Sequence, residues 1–295
     1  MNGIINVLKP ANMTSFDVVA YLRKLTNVKK IGHTGTLDPM ATGVLPVCIG
    51  KSTGIIDYIL NSNKEYVAEI TFGANTTTQD NMGDVIDTFN IDSLTKENVE
   101  DAIYSFKGSY MQVPPMYSAI KINGQKLCDI ARKGKIVERE PRKVFIHDID
   151  IFSIKHNKAI FRCLVSKGTY IRTLCCDIGA KLGVGAYMSF LVRTKVGDFD
   201  INKALTLEEI KELNDNGKLS DIMLKPDCVL KHYPKVILTQ NQERIFLNGG
   251  FIKQMIDNRS SEYFRVYSQN GSFLAIGSMI DKQGEVFLKS KKMFV

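Results

Sequence analysis

The chain has 295 residues, 44% hydrophobic and 24% charged, which suits a soluble globular protein with room for one large domain and a small one. No apolar stretch approaches the roughly 20 residues of a membrane span. MNGIINVLKP lacks the charged start and apolar core of a secretory leader, so the cytoplasm is the expected compartment. The net charge of +8 points to a polyanionic partner. Of that charge, +5 falls in the last 67 residues, and Lys121 to Lys143 holds eight Lys/Arg against three acids. Two separated basic regions suit an extended backbone better than a small substrate.

In chain order, Ile4 to Leu8 reads as a short strand ended by Lys9-Pro10. Thr14 then opens a helix, with Asp17 as its capping partner and Val18, Val19 and Leu22 as its apolar stripe. Lys30 to Gly50, KIGHTGTLDPMATGVLPVCIG, follows. Gly32, Gly35, Gly43 and Pro39 rule out a continuous helix, and Val44 to Ile49 has the composition of a buried strand. Polar groups His33 and Asp38 therefore sit on a tight loop anchored to a core strand, a usual layout for an active site. Asp before Pro is also a common turn opener. Gly50-Lys51-Ser52 ends like a P-loop, but six apolar residues separate Gly43 from Gly50 where four are needed. Nucleotide binding is excluded there.

Thr53 to Asn61 reads as a helix with Ile55, Ile56, Ile59 and Leu60 inward, and Lys64 to Phe72 alternates as a strand. Gly73 to Gly83 is a polar loop containing Asp80, and Thr95 to Phe106 a helix. Pro114-Pro115 is rigid and extended. Tyr117 to Ile122 reads as a strand running into an Asn123-Gly124 turn. A short helix spans Leu127 to Lys133. Lys143 to Ile154 and Ala159 to Val165 are strands, Thr173 to Leu182 a helix, and Gly185 to Phe199 a strand pair. Thr206 and Glu209 box the start of a helix that ends before Gly217. Lys225-Pro226-Asp227 and Tyr233-Pro234 mark a linker. Beyond it, Tyr263 to Tyr267 and Ser272 to Ile276 form a hairpin around Asn270-Gly271, and Val286 to Lys289 adds a strand. Six cysteines include no C-x-x-C pair and the four histidines are scattered, so no metal site is expected. Adjacent Cys175 and Cys176 read as buried helical thiols.

Gly32 to Pro46, GHTGTLDPMATGVLP, resembles the catalytic motif of the TruB-type pseudouridine synthases, which modify the uridine at position 55 of tRNA. Three further stretches are similar to the same family: the KP-x-x-x-TS opening (Lys9, Pro10, Thr14, Ser15), QVPPMYSAIKINGQKL from Gln112, and KGTYIR from Lys167. Together they cover most of residues 3 to 200. The resemblance implies an α+β fold with a mixed, mostly antiparallel sheet and flanking helices over residues 1–228. It implies a small all-β PUA-like RNA-binding domain over 229–295. Asp38 becomes the catalytic aspartate, Arg172 its partner, and Tyr66 a stacking residue beside the reaction. His33, Tyr170, Leu191 and Lys51 become substrate-binding residues. Two departures stand out: Asp80 matches an acidic family region only loosely, and Gly54 stands where relatives often carry lysine.

The implied reaction breaks the N1–C1′ bond of uridine, turns the base and rejoins it through C5. It is an isomerisation and needs no cofactor or metal. The carboxylate must be ionised, and burial opposes that, so a fixed cation such as Arg172 is required. The implied partner is the T-arm of tRNA, bound by a monomer with no protein partner. Two rivals stand beside this reading. One is an RNA-binding or tRNA-folding protein without essential catalysis. The other is a related enzyme acting on ribosomal RNA within a guide-RNA complex.

Overall fold

The structure, a computed structural model, describes residues 1–295 except 123, 254–260 and 283. Nine strands form the large sheet: β1 (Gly3–Lys9), β2 (Ile31–His33), β3 (Thr42–Ile49), β4 (Lys64–Phe72), β5 (Gly108–Gln112), β6 (Arg142–Lys155), β7 (Lys158–Val165), β8 (Ala186–Val196) and β9 (Phe199–Asp200). Their spatial order is β1-β3-β8-β4-β7-β6-β5, with β2 on β3 and β9 on β8. Every pairing is antiparallel except β3 with β8. This is the mixed, mostly antiparallel sheet expected.

Helices cover it where the sequence leaves apolar stripes. Helices α1 (Ser15–Thr26), α2 (Lys96–Tyr104), α3 (Ile171–Leu182) and α4 (Leu207–Asp215) belong to the large sheet. Thr14 and Asp17 form the expected capping box of α1, and Thr206 and Glu209 that of α4. On one side, Ile103 of α2 and Leu174 and Ile178 of α3 pack with Ala68, Ile70 and Phe161 of the sheet. Elsewhere Val18 and Leu22 of α1 and Ile210 of α4 pack with Ile5, Leu45 and Val47.

A second sheet holds β10 (Lys235–Ile237), β11 (Ile252–Lys253), β12 (Tyr263–Tyr267), β13 (Phe273–Lys282) and β14 (Glu285–Met293), in the order β10-β12-β13-β14-β11. Helix α5 (Gln240–Leu247) packs on it through Phe246. Tyr267, Phe273, Ile276 and Phe294 share a core with Ile4, Val44 and Cys48 of the large sheet. No helix among the described residues is long and apolar enough to cross a membrane.

Several boundaries differ from the sequence reading. Residues 53–61 divide into a 3₁₀ turn, Gly50–Ile55, and a short helix, Ile56–Leu60. Leu60 is 38% exposed, so only part of that apolar run faces inward. Tyr117 to Ile122 is a strand only at Lys121–Ile122. The preceding groups bond locally instead: Ser118 N–H donates to Met116 O, and Ser118 O accepts from Cys128 N–H. The turn expected at Asn123-Gly124 lies partly outside the described residues. Helix α3 begins two residues early, at Ile171, which puts Arg172 in its first turn. Gly185 to Phe199 is one long strand with a two-residue return rather than an even pair.

Gly43 is needed at the parallel seam. Its φ is +115°, and a Cβ there would stand 2.2 Å from Arg193 O. Gly43→Ala should cost about 3 kcal/mol or more through strain and collision with backbone. Chemical denaturation would register this as a large fall in the unfolding midpoint.

Candidate active site

The loop between β2 and β3 carries Asp38, and buried groups hold it from below. Thr34 donates to Pro46 O through both its N–H and its hydroxyl, each at 3.1 Å. Ser15 Oγ accepts from Leu37 N–H at 2.8 Å, and Asn12 N–H donates to Pro39 O at 2.8 Å. Lys9 is fully buried, and its ammonium donates to the carbonyls of Pro10, Met13 and Pro39 at 2.8, 2.5 and 3.3 Å. Burial pulls its pKa down to about 8, against the attraction of Asp38. The KP-x-x-x-TS opening is thus a clamp on the residues either side of Asp38. Arg193, 1% exposed, clamps the other flank through Val44 O at 2.8 Å and Gly35 O at 3.1 Å. Carbonyl dipoles replace the water that both buried cations give up.

Arg172 reaches Asp38 from the first turn of α3. Its Nε lies 2.9 Å from Oδ2 and its Nη2 3.3 Å from Oδ1, a two-point contact. The guanidinium is itself fixed. Nη1 donates to Thr78 O at 2.9 Å and Nη2 to Tyr117 O at 2.8 Å. A second carboxylate, the buried Asp80, stands 3.7 Å from Nη1. Met82 N–H and the Thr78 hydroxyl donate to Asp80. Arg172 is 4% exposed, whereas the Asp38 side chain is 32% exposed, so the pair opens to solvent through the carboxylate. Burial raises the Asp38 pKa, Arg172 pulls it back, and Asp80 pushes it further up, leaving a net rise. The opposing charge expected from the sequence is present, yet it does not fully cancel burial.

The other expected residues divide into two groups. Tyr66 and Leu191 are buried in one cluster with Leu37 and Ala41, beneath the loop. Burial holds the Tyr66 phenol above its usual pKa, opposed by the adjacent Arg193. Half-buried Tyr170 precedes α3, close enough for Arg172 and Asp38 to act on its phenol. His33 ends β2, and its Nδ1 accepts from Gly35 N–H at 3.3 Å. Burial and then Arg193 lower its pKa. Lys51 stands apart. It follows the far end of β3, so the strand's eight residues, about 25 Å, separate it from the Asp38 loop. Gly54 is filled from elsewhere: Lys292 Cε and Phe294 Cε1 lie 3.1 and 3.2 Å from where its Cβ would be. A side chain there would have to displace one of them.

Residues 23–171 match the TruB family pseudouridylate synthase (N terminal domain), and residues 172–230 the tRNA pseudouridylate synthase B C-terminal domain. A Clostridioides difficile protein named tRNA pseudouridine synthase B is 44% identical over the full length of both chains. An Alkaliphilus oremlandii protein of the same name is 49% identical over 85% of this chain and 83% of its own. The chain belongs to the TruB family. It is therefore a pseudouridine synthase, an isomerase, as the motifs implied. A chain from a crystal structure titled as a Cbf5-Nop10-Gar1 complex shares the fold, with a TM-score of 0.73 and 26% identity over 99% of this chain and 85% of that one.

Sequence reasoning underrated three residues at this candidate site. Arg193 had a readable signal: it lies two residues after Leu191, on the inward face of β8, where a charge is out of place. Asp80 had a weak one, a lone acid in a loop of Thr and Asn donors. Gln112, 1% exposed at the end of β5, had none beyond its place in the QVPPMYSA stretch.

One partly buried carboxylate further along α3 has a raised pKa. Burial pushes Asp177 of α3 up to about 6, partly offset by a hydrogen bond from Tyr110. A raised acid pKa favours folding below the unfolded value near 4, and that contribution is lost as pH rises through 6. After discounting for partial exposure, the cost at pH 7.5 is about 1 kcal/mol. Asp177→Asn should therefore raise Tm by about 2 °C at pH 7.5. At pH 5 the gain should shrink or vanish, which melts at the two pH values would check.

Proposed function

We propose that this protein converts the T-loop uridine at position 55 of tRNA to pseudouridine, with Asp38 as the catalytic carboxylate. The single observation carrying this is the two-point Arg172–Asp38 contact, in which the guanidinium is buried and the carboxylate reaches solvent. The names of the relatives supply the substrate class.

Asp38 serves either as a nucleophile or as a base on the sugar, and both roles need the ionised form. Arg172 favours that form, and its other bonds keep it from swinging away. During the reaction the N1–C1′ bond breaks, a C5–C1′ bond forms, the C5 hydrogen leaves as a proton and the freed N1 takes one up. Atoms balance without an oxidant or a transferred group. Tyr66 keeps its proton at neutral pH and offers the detached uracil a neutral face. Leu191 packs on that base from the same buried cluster. The target must first leave its stack, at a cost of a few kcal/mol. His33 and Tyr170 at the loop offset that cost by stacking. Lys51 contacts backbone phosphate at a distance from the chemistry.

Residues 1–228 form the catalytic unit and 229–295 an RNA-binding unit, whose excess of cations follows the tRNA backbone. A monomer suffices, without a protein partner, and the cytoplasm is the compartment such a substrate implies.

Purified protein, tRNA labelled with tritium at C5 of uridine and no added cofactor make the test. One equivalent of tritium per tRNA, mapped to position 55, is the expected result. Tight tRNA binding without release would instead favour an RNA-folding role.

A further inference from the structure

Helix α3 carries Arg172, yet its N-cap residue, Tyr170, makes no side-chain cap. Another element holds that residue instead. Gln112, at the end of β5, accepts from Tyr170 N–H through Oε1 at 2.8 Å and donates to Tyr170 O through Nε2 at 3.0 Å. One carboxamide thus grips both backbone groups of the residue two before Arg172. The remaining Nε2 hydrogen goes to the Tyr110 phenol, two residues back on the same face of β5. Gln112 also starts the segment that presents Tyr117 O to Arg172 Nη2. One of the two carbonyls that fix the guanidinium, Tyr117 O, thus lies on the segment that this buried amide begins.

We propose that Gln112 is the positioning residue of the Asp38–Arg172 pair, setting the first turn of α3 through both backbone groups of Tyr170. The proposal rests on the roles given above to Asp38 and Arg172. A bidentate ion pair tolerates little displacement, and shifts near 1 Å can cost about 100-fold in rate. Affinity for tRNA comes mainly from phosphate contacts elsewhere and should hardly change.

Two variants test it. Gln112→Ala should lower single-turnover kcat by about 10- to 100-fold, with Kd for tRNA within about two-fold of wild type. Gln112→Glu keeps the shape but loses both donated bonds while ionised. Its rate relative to wild type should rise as pH falls, because the protonated acid regains one donor. A third readout needs no activity: the ¹³C-carboxylate titration of Asp38, assigned with Asp38→Asn. Arg172 pulls that pKa down, so Gln112→Ala should move it up. An unmoved Asp38 titration in folded Gln112→Ala would overturn the proposal, as would a kcat loss no larger than the loss of folded protein. Failure of the functional reading looks different: wild type would release no tritium, while the titration would still decide whether Gln112 positions the pair.

Discussion

Asp38→Asn should abolish tritium release from C5-labelled tRNA, a loss of about 10⁴-fold or more, while the protein still folds and binds tRNA. The carboxamide is nearly isosteric but can neither attack carbon nor take a proton. Folding should survive for a specific reason. Arg172 loses its contact with Asp38 but keeps the carbonyls of Thr78 and Tyr117 and the nearby charge of Asp80. Binding should survive because phosphate contacts dominate RNA affinity. The wild-type pH profile belongs to the same prediction. The Asp38 pKa is raised, so the rate should fall as pH drops through a value above that of an ordinary carboxylate. Substantial release by folded Asp38→Asn would remove the carboxylate from the mechanism. An acid limb below pH 4 would show that Arg172 outweighs burial.

Much of this site was legible because its chemistry lies in contiguous stretches. The Asp38 loop, the KGTYIR turn and the alternating β4 each announce their local form: glycine and proline breaks, a helix start, a period of two. Their meeting was legible only through resemblance, since no periodicity places Arg172, 134 residues away, against Asp38. The same limit hid the supports. Gln112 meets Tyr170 across 58 positions, and Arg193 meets Val44 across 149. Asp80 failed for another reason. A polar loop reads as exposed, and only the fold shows that Thr78, Met82 and Arg172 surround it. The second sheet was visible from its hairpin. Its shared core with β1 and β3 was not, because Tyr267 and Phe273 would look the same in a domain that packs alone.

Replacing Arg172 should produce the other large effect, and the two obvious variants should fail differently. Lysine keeps the charge but has one nitrogen. It cannot reach both oxygens of Asp38 while also serving the carbonyls of Thr78 and Tyr117. Arg172→Lys should fold and bind tRNA but lose about 10²- to 10³-fold in kcat. Its acid limb should move up in pH, because the group that pulls the Asp38 pKa down is weakened. The deficit against wild type should thus be largest at low pH and smaller, though still present, where Asp38 is fully ionised in both. Arg172→Met removes the charge altogether. It leaves Asp38 and Asp80 in one pocket without their shared cation, at a cost of about 3–5 kcal/mol for a broken buried pair. Part of that stability should return on acidification, since protonating Asp38 relieves the repulsion. Stopped-flow rates across pH for the lysine variant, with denaturation curves at pH 5 and 8 for the methionine variant, separate the two effects. A lysine variant with wild-type kcat would mean that charge alone is enough. A methionine variant as stable as wild type would mean that the pocket stays hydrated, and that the arginine serves the reaction rather than the fold.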